Sequence, residues 1–296
     1  MKRVHILAAL VAVGALSSVI AAQQNQARPP LPDAQKVKDN LWVITSSTPG
    51  PEFTGGNTGI FVTDSGVVVV DTKLSGYGPS ILEKIKKITD KPVTTIINTH
   101  THGDHTGNDD KFGKVEIVAH ENTKANMAKM PAFAGDKAQF LPKRTYKDKM
   151  TVGSGKNAID LYYFGAGHTN GDTWVHYRSL RVLQTGDMFA WRDAPTIDRN
   201  NGGSGLEYPK TLAKAIAGIK DVDIVIPGHS PVTTPKDLQE YQRFMEDWVK
   251  AVQSANAAGK SAEDAAASID LASKYPGYKK ERYTAAITAV YSELKK

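Results

Sequence analysis

The chain has 296 residues, 40% of them apolar and 23% charged, with 15 Pro and 25 Gly spread along it. That make-up is ordinary for one large or two average globular domains; it excludes a disordered chain, a collagen and a polytopic membrane protein. Cysteine is absent, so disulfides, a thiolate nucleophile and cysteine metal ligands are excluded. Any metal site must then be built from Asp, Glu and eight histidines: His5, His100, His102, His105, His120, His168, His176 and His229.

At the N-terminus Lys2 and Arg3 precede an apolar run from Ile6 to Leu16, followed by Ala21, Ala22 and a polar Gln-Gln-Asn-Gln stretch. This is the pattern of a signal peptide over residues 1–22, cleaved near Ala22. The run is short for a membrane span, and Ser17 and Ser18 weaken it further. We therefore expect export, to a bacterial periplasm, with no stable membrane association after cleavage. Lys2 and Arg3 leave with the leader, which lowers the formal charge from +6 to +4. So small a charge is not the footprint of a nucleic-acid binder. Residues 23–37 are polar and proline-rich and read as a flexible leader into the fold.

Short apolar runs then dominate. Leu41 to Thr45, Gly59 to Thr63, Val67 to Val70, Thr94 to Ile97, Val115 to Ala119, Ile159 to Phe164, Thr173 to Tyr177, Arg181 to Gln184 and Ile224 to Ile226 read as strands. Amphipathic stretches lie between them: Pro79 to Thr89, Glu121 to Met130 and Pro209 to Ile219. The clearest helix runs from Lys236 to about Asn256, with Leu238, Tyr241, Phe244, Met245, Trp248, Val249 and Val252 on one face as a core stripe. A final helix carries Tyr283, Ala286, Ile287, Val290, Tyr291 and Leu294. The segment near Ala265 is alanine-rich and reads as low complexity. Strands come first and are then mixed with helices, so the expected class is α/β, two sheets covered by helices. No linker-like break follows Lys38. The simplest organisation is one catalytic domain over residues 38–258, with a helical C-terminal extension over 259–296 packed on it.

The chemistry is concentrated in Asn98-Thr99-His100-Thr101-His102-Gly103-Asp104-His105. A β-branched strand ends there and delivers three imidazoles and a carboxylate within six positions. Residues two apart in an extended chain point the same way, so His100 and His102 can grip one ion. Asp104 and His105 sit on the following turn and can address a second. Burying so many imidazoles without a metal is costly. Three further ligand candidates lie just past strand-like runs and beside glycine: His168, Asp187 and His229. His120 ends a strand and reads as a structural residue bordering the site, and His176 as an ordinary strand residue; neither joins the metal set.

This His-x-His-x-Asp-His pattern, with its three flanking corners, resembles the metallo-β-lactamase-fold hydrolases over about Leu41 to His229. The resemblance implies a four-layer αββα sandwich with its site at one edge. It also implies a first metal on His100, His102 and His168, a second on Asp104, His105 and His229, and Asp187 bridging the two. Asp71 matches the family's buried acidic position and would orient a ligand imidazole.

Five imidazoles and two carboxylates favour two zinc ions, with iron or manganese as alternatives. Such a pair lowers the pKa of bridging water to about 7 and polarises a carbonyl or phosphoryl oxygen. The expected reaction is therefore hydrolysis by metal-bound hydroxide, with Asp104 orienting the nucleophile or carrying a proton to the leaving group. The substrate expected is a small ester, lactone or amide. A zinc β-lactamase is the alternative, and a mononuclear-iron persulfide dioxygenase or a non-catalytic metal-binding protein are the rivals. Rim segments are expected at Pro51 to Asn57, Met188 to Pro195 and Asn200 to Gly205. Nothing in the sequence fixes the oligomeric state.

Overall fold

Valine runs and β-branched segments put twelve strands into two sheets among the residues that the computed structural model describes, 28–46 and 50–295. The expected signal peptide lies outside those residues. The first sheet follows chain order: β1 (Gln35–Lys38), β2 (Leu41–Ile44), β3 (Thr58–Val62), β4 (Val67–Val70), β5 (Val93–Ile97), β6 (Glu116–His120) and β7 (Arg144–Tyr146). Its first four strands run antiparallel, and from β4 to β7 they run parallel. The second sheet holds β8 (Lys149–Val152), β9 (Ile159–Tyr162), β10 (Trp174–Tyr177), β11 (Val182–Gln184) and β12 (Ile224–Ile226), in the order β12-β11-β10-β9-β8. Only β11 and β12 pair in parallel there.

Parallel neighbours need crossovers, and a helix lies in each of the four: α1 (Gly78–Ile88) between β4 and β5, α2 (Gly103–Thr106) between β5 and β6, α3 (Glu121–Met127) between β6 and β7, and α4 (Tyr208–Gly218) between β11 and β12. The chain continues with α5 (Pro235–Ala257), α6 (Ala262–Ser268) and α7 (Tyr283–Leu294). No helix among the described residues is long and apolar enough to cross a membrane.

The two-residue period of the strands builds the layers. Val68 and Val70 join Leu41, Val43 and Phe61 in the space between the sheets, where they meet Leu161, Val175 and Tyr177. Val67 and Val69 face the other way and pack with Ile60 under Ile81 and Ile85 of α1. The outer face of the second sheet, Trp174, Leu183 and Val225, is covered by Leu212 of α4 and by the stripe of α5. Thr234 and Asp237 close a capping box at the start of α5. Ala265 of α6 and Tyr283, Ile287 and Val290 of α7 enter the same core. The result is the expected α/β fold, helix–sheet–sheet–helix with C-terminal helices.

The chain enters the fold earlier than its polar composition suggests. Leu31 is buried and Gln35–Lys38 pairs with β2, so the leader expected through residue 37 is built into the unit that begins at Leu31. The strand is an edge, with one face open to solvent, so Gln and Lys are tolerated there.

Candidate metal centre

The site forms where parallel strands end. Asp71 follows β4, His100 and His102 follow β5, and α2 carries Asp104 and His105. From the second sheet come His168 in the turn between β9 and β10, Asp187 just past β11 and His229 just past β12. All seven expected ligand residues meet. Three sets each have ligand atoms within 4.8 Å of one another: His100, His102 and His168; Asp104, His105 and His229; and His100, His105 and Asp187, which connects them.

The imidazoles are oriented from behind. His105 Nδ1 lies 2.7 Å from Asp71 Oδ2, His102 Nε2 lies 2.7 Å from Asp198 Oδ2, and His168 Nδ1 lies 2.7 Å from the Thr196 carbonyl. Thr99 Oγ1 donates to Asp71 and stands 3.0 Å from His100 Nδ1. Each of these outer contacts accepts the ring N–H, so in the neutral tautomer the inner nitrogens carry lone pairs. Those inner nitrogens face one another: His168 Nε2 and His102 Nδ1 at 2.9 Å, His105 Nε2 and His229 Nε2 at 3.2 Å. His100 Nε2 is buried with no hydrogen-bond partner. Opposed lone pairs and an orphaned buried nitrogen are unfavourable unless a cation lies between them. Their spacing suits one, because two nitrogens about 2.0–2.1 Å from a tetrahedral zinc are separated by about 3.3 Å. The residues therefore fit a divalent metal.

The carboxylates point the same way. Asp187 Oδ1 is 3.3 Å from His105 Nε2 and 3.2 Å from His229 Nε2, and Oδ2 is 3.6 Å from His168 Nε2. Asp104 Oδ2 is 3.4 Å from His229 Nε2 and keeps one-fifth of its side chain exposed. Burial, reinforced by the charges of His105 and His168, holds His100 well below the ordinary imidazole range, and burial brings His168 down to about 4. Burial also opposes the charged form of His105, but Asp187, Asp104 and Asp71 together outweigh it and raise that ring well above its usual value. This is a buried nest in which carboxylates and crowded imidazole nitrogens face one another, the donor set of a divalent metal.

Close backbone approach makes the packing possible. A Cβ on Gly56 would stand 2.2 Å from His105 Cε1, and one on Gly228 would stand 2.1 Å from Asp187 Oδ1. Only glycine fits at either place.

The centre opens into a cavity of about 580 Å³ lined by Phe53, Leu74, Trp191 and Arg282 as well as by His and Asp side chains. Phe53 and Trp191 flank the His229 ring, with centroids 5.2 and 5.1 Å away. Two of the three expected rim segments are thus at the mouth. The third, Asn200 to Gly205, lines none of this cavity; Asn201 Nδ2 donates to Asp198 Oδ2 at 2.6 Å, and Gly203 N donates to the Asp198 carbonyl. His120 stacks on Tyr163 and contacts the Lys147 carbonyl at 2.7 Å, and His176 lies on β10; neither belongs to a metal-competent set.

Three residues behind or beside the centre escape sequence reasoning. Asp198 is 96 positions from His102, and its one local signal is the turn it caps, accepting from Asn200 N and Asn201 N. Although burial opposes its ionisation, hydrogen bonds from His102 and Asn201 hold its carboxyl well below the usual carboxylate range. Lys73 is fully buried and donates to the Gly56 carbonyl at 2.8 Å, bracing the loop that presses on His105; burial pushes its pKa down to about 7 despite Asp71 and Asp104. Arg282 arrives from the head of α7.

Two expected results follow from this framework. Asp198→Ala frees the outer nitrogen of His102 and should weaken metal binding about 10–100-fold, read by competition with a chromophoric chelator. Wild-type affinity in that variant would show that His102 does not need Asp198. Asp109, fully buried, accepts from Thr72 Oγ1 at 2.8 Å and from Asn98 Nδ2 at 3.3 Å. Burial raises its carboxyl to about 8, against the opposing pull of those hydrogen bonds. The folded state then keeps a proton that the unfolded chain releases near pH 4. This contribution to stability is full below about pH 4 and is lost as pH climbs through 8. Asp109→Asn carries no such proton, so its Tm relative to wild type should rise by about 4 °C or more between pH 5 and pH 8.5. A constant difference across that window would contradict a buried neutral Asp109.

An αββα sandwich that gathers histidines and carboxylates at the ends of its parallel strands defines a metal-dependent hydrolase. The chain belongs to the metallo-beta-lactamase superfamily, whose family model matches residues 51–229. Among curated relatives, it is 26% identical to metallo-beta-lactamase IND-1 of Chryseobacterium indologenes over 65% of this chain and 80% of the relative. It is 28% identical to metallo-beta-lactamase type 2 of Elizabethkingia meningoseptica over 66% and 77%. The α subunit of 2,4-dinitroanisole O-demethylase from a Nocardioides strain is 29% identical over 66% of this chain and 56% of that one. Solved structures share the fold: a metallo-beta-lactamase from Pontibacter korlensis aligns with a TM-score of 0.62 at 20% identity, over 72% of this chain and 98% of that one. The DIM-1 metallo-beta-lactamase exposed to ceftazidime aligns at 0.61 and 22%, over 75% and 99%. The protein is thus a metal-binding hydrolase of this superfamily, acting on small molecules.

Proposed function

We propose that the protein is a dinuclear enzyme that hydrolyses a small ester, lactone or amide, with zinc as the preferred metal. The observation that carries this is the convergence of two complete ligand sets on one carboxylate, Asp187. His100, His102 and His168 would hold one ion, Asp104, His105 and His229 the other, and Asp187 would contact both. When bound, the metals acidify water and polarise the substrate's carbonyl oxygen. The chain's residues do the rest. Asp71 and Asp198 fix the ligand rings, Asp104, partly exposed at the cavity, orients the nucleophile and passes a proton to the leaving group, and Phe53 and Trp191 exclude water around the apolar part of the substrate.

A β-lactamase is the second reading, favoured by the names of the relatives; the O-demethylase relative adds aryl methyl ethers to the classes worth assaying. The deciding experiment measures metal content and turnover on one sample against esters, lactones, β-lactams, thioesters, phosphodiesters and an aryl methyl ether. Two zinc ions with turnover in the ester, lactone or amide group support the proposal. One iron with oxygen consumption on persulfide would assign the dioxygenase chemistry instead, and metal-loaded protein inert across the panel would assign metal binding alone.

Export to a periplasm and cleavage near Ala22 are proposed on the leader pattern alone. N-terminal sequencing of the mature protein reads that cleavage directly. The division into a catalytic domain through residue 258 and an extension beyond it is likewise proposed; the burial of Tyr283, Ile287 and Val290 beside α5 supports an extension that is packed and not free.

A further inference from the structure

Arg282 heads α7, well outside the residues matched by the superfamily, yet it reaches the metal centre's cavity. Its guanidinium lies over Trp191, with Cζ 3.8 Å from the ring centroid. Trp191 in turn lies against His229, with centroids 5.1 Å apart and planes tilted by 30°. Arg282 and Trp191 line the 580 Å³ cavity together with His102, Asp104, His168 and Asp187. They are also part of the wall it shares with a neighbouring cavity of about 340 Å³.

Among the described residues the guanidinium of this arginine makes no close ion pair, although its charge acts on the neighbouring Asp193 carboxylate. Arg192 pairs with Asp237 and Lys279 with Glu281, both beside the same wall. Among the described residues no carboxylate stands within 4.0 Å of the Arg282 guanidinium. Asp193, the buried acid next to it, is used on the main chain: it accepts from Ala194 N at 2.7 Å and from the backbone N–H of Arg282. Asp193 therefore fixes where α7 begins, and the indole fixes where the side chain points. The contact with the indole holds the guanidinium at the cavity wall, and a guanidinium is the group that takes a carboxylate with two parallel hydrogen bonds.

The geometry points to an anion subsite: Arg282, supplied by the C-terminal segment, binds a carboxylate on the substrate while the scissile group sits among the His and Asp side chains. The inference rests on the hydrolase reading above and narrows it to an anionic ester, lactone or amide. The apolar spacer between the two ends packs on Phe53 and Trp191.

The test compares metal-loaded wild type, Arg282→Gln and Arg282→Lys on two esters of equal carbon number, mono(4-nitrophenyl) adipate and 4-nitrophenyl hexanoate. Wild type should favour the adipate. In Arg282→Gln the adipate-to-hexanoate ratio of kcat/KM should fall about tenfold, the size of one charged hydrogen bond, and the loss should appear in KM. Arg282→Lys, which keeps the charge and loses the fork, should fall between. A ratio unchanged in Arg282→Gln would overturn the subsite. Calorimetric titration of the same proteins with benzoate and with neutral benzamide gives a readout independent of turnover: benzoate affinity should drop in Arg282→Gln and less in Arg282→Lys, and benzamide affinity should change in neither. If neither ester is cleaved but benzoate binding depends on Arg282, the subsite stands and the ester-hydrolase reading fails. If esters are cleaved while the ratio and benzoate affinity ignore Arg282, hydrolysis stands and the subsite fails. Since Arg282 is half-buried at a helix head, Tm and metal content of each variant confirm that the fold and centre are intact.

Discussion

Asp187→Ala should lose much of the second metal and at least about 100-fold in kcat/KM, more than removal of a group that merely orients a ligand. The carboxylate stands 3.2–3.6 Å from the inner nitrogens of His105, His168 and His229, so its two oxygens face both ligand sets. Its Oδ1 has no hydrogen-bond donor although it is buried. Burial alone would raise its pKa, but the charges of His229 and His105 hold it well below the usual range, so it is an anion in place. Without it, five imidazoles and Asp104 would be left to hold the metal, and the site would lack the charge to keep two divalent ions. Tyr208 Oη bonds the Asp187 carbonyl at 2.6 Å, which anchors the main chain in the variant and keeps a local loss separate from unfolding. Metal analysis and kinetics on the same preparation decide it; unchanged stoichiometry and rate would refute a bridging role.

The seven residues that converge at the site were legible because they announce themselves locally: four fall within six positions, and the others sit at glycine corners after strands. Of the groups behind them, Asp71 was legible through the family resemblance, and the others were not. Asp198 reaches His102 across 96 positions, and Arg282 reaches the cavity from the last helix, so neither position carries a pattern of its own. Among the elements, the valine runs of the inner strands were read within a residue or two. The strands missed were β1, β7 and β8, short and carrying Gln, Lys and Arg. Each lies at the edge of its sheet, where one neighbour and open solvent remove the selection for alternation. Helix α6 was masked by its alanine content. Yet Ser261 Oγ accepts from Asp264 N at 3.0 Å, an N-cap readable as Ser three residues before Asp, and Ala265 is fully buried.

Asp71 carries the second large effect, on stability as well as on metal binding. It is 0% exposed and has φ of 62°, a left-handed conformation that Asp tolerates better than most side chains. Oδ1 accepts from Thr99 N at 2.8 Å; Oδ2 accepts from Thr99 Oγ1 and His105 Nδ1, each at 2.7 Å. One side chain thus ties the end of β4 to the start of the ligand segment and sets two of the rings, His105 directly and His100 through Thr99. Asp71→Ala strands three buried donors and places a Cβ without compensation at positive φ. The expected cost is about 3–5 kcal/mol, the range for removing one partner of a buried charged network. Asp71→Asn keeps the shape and the local conformation, and one amide oxygen can still accept. Its amide nitrogen, however, must face a donor, Thr99 or His105. It should therefore fold with a smaller loss than Asp71→Ala and still bind metal about 10–100-fold more weakly than wild type. Urea unfolding of the metal-free proteins separates the structural cost from the ligand-orienting one. If Asp71→Asn matched wild type in metal affinity, His105 would owe its orientation to its packing against Gly56 and not to Asp71.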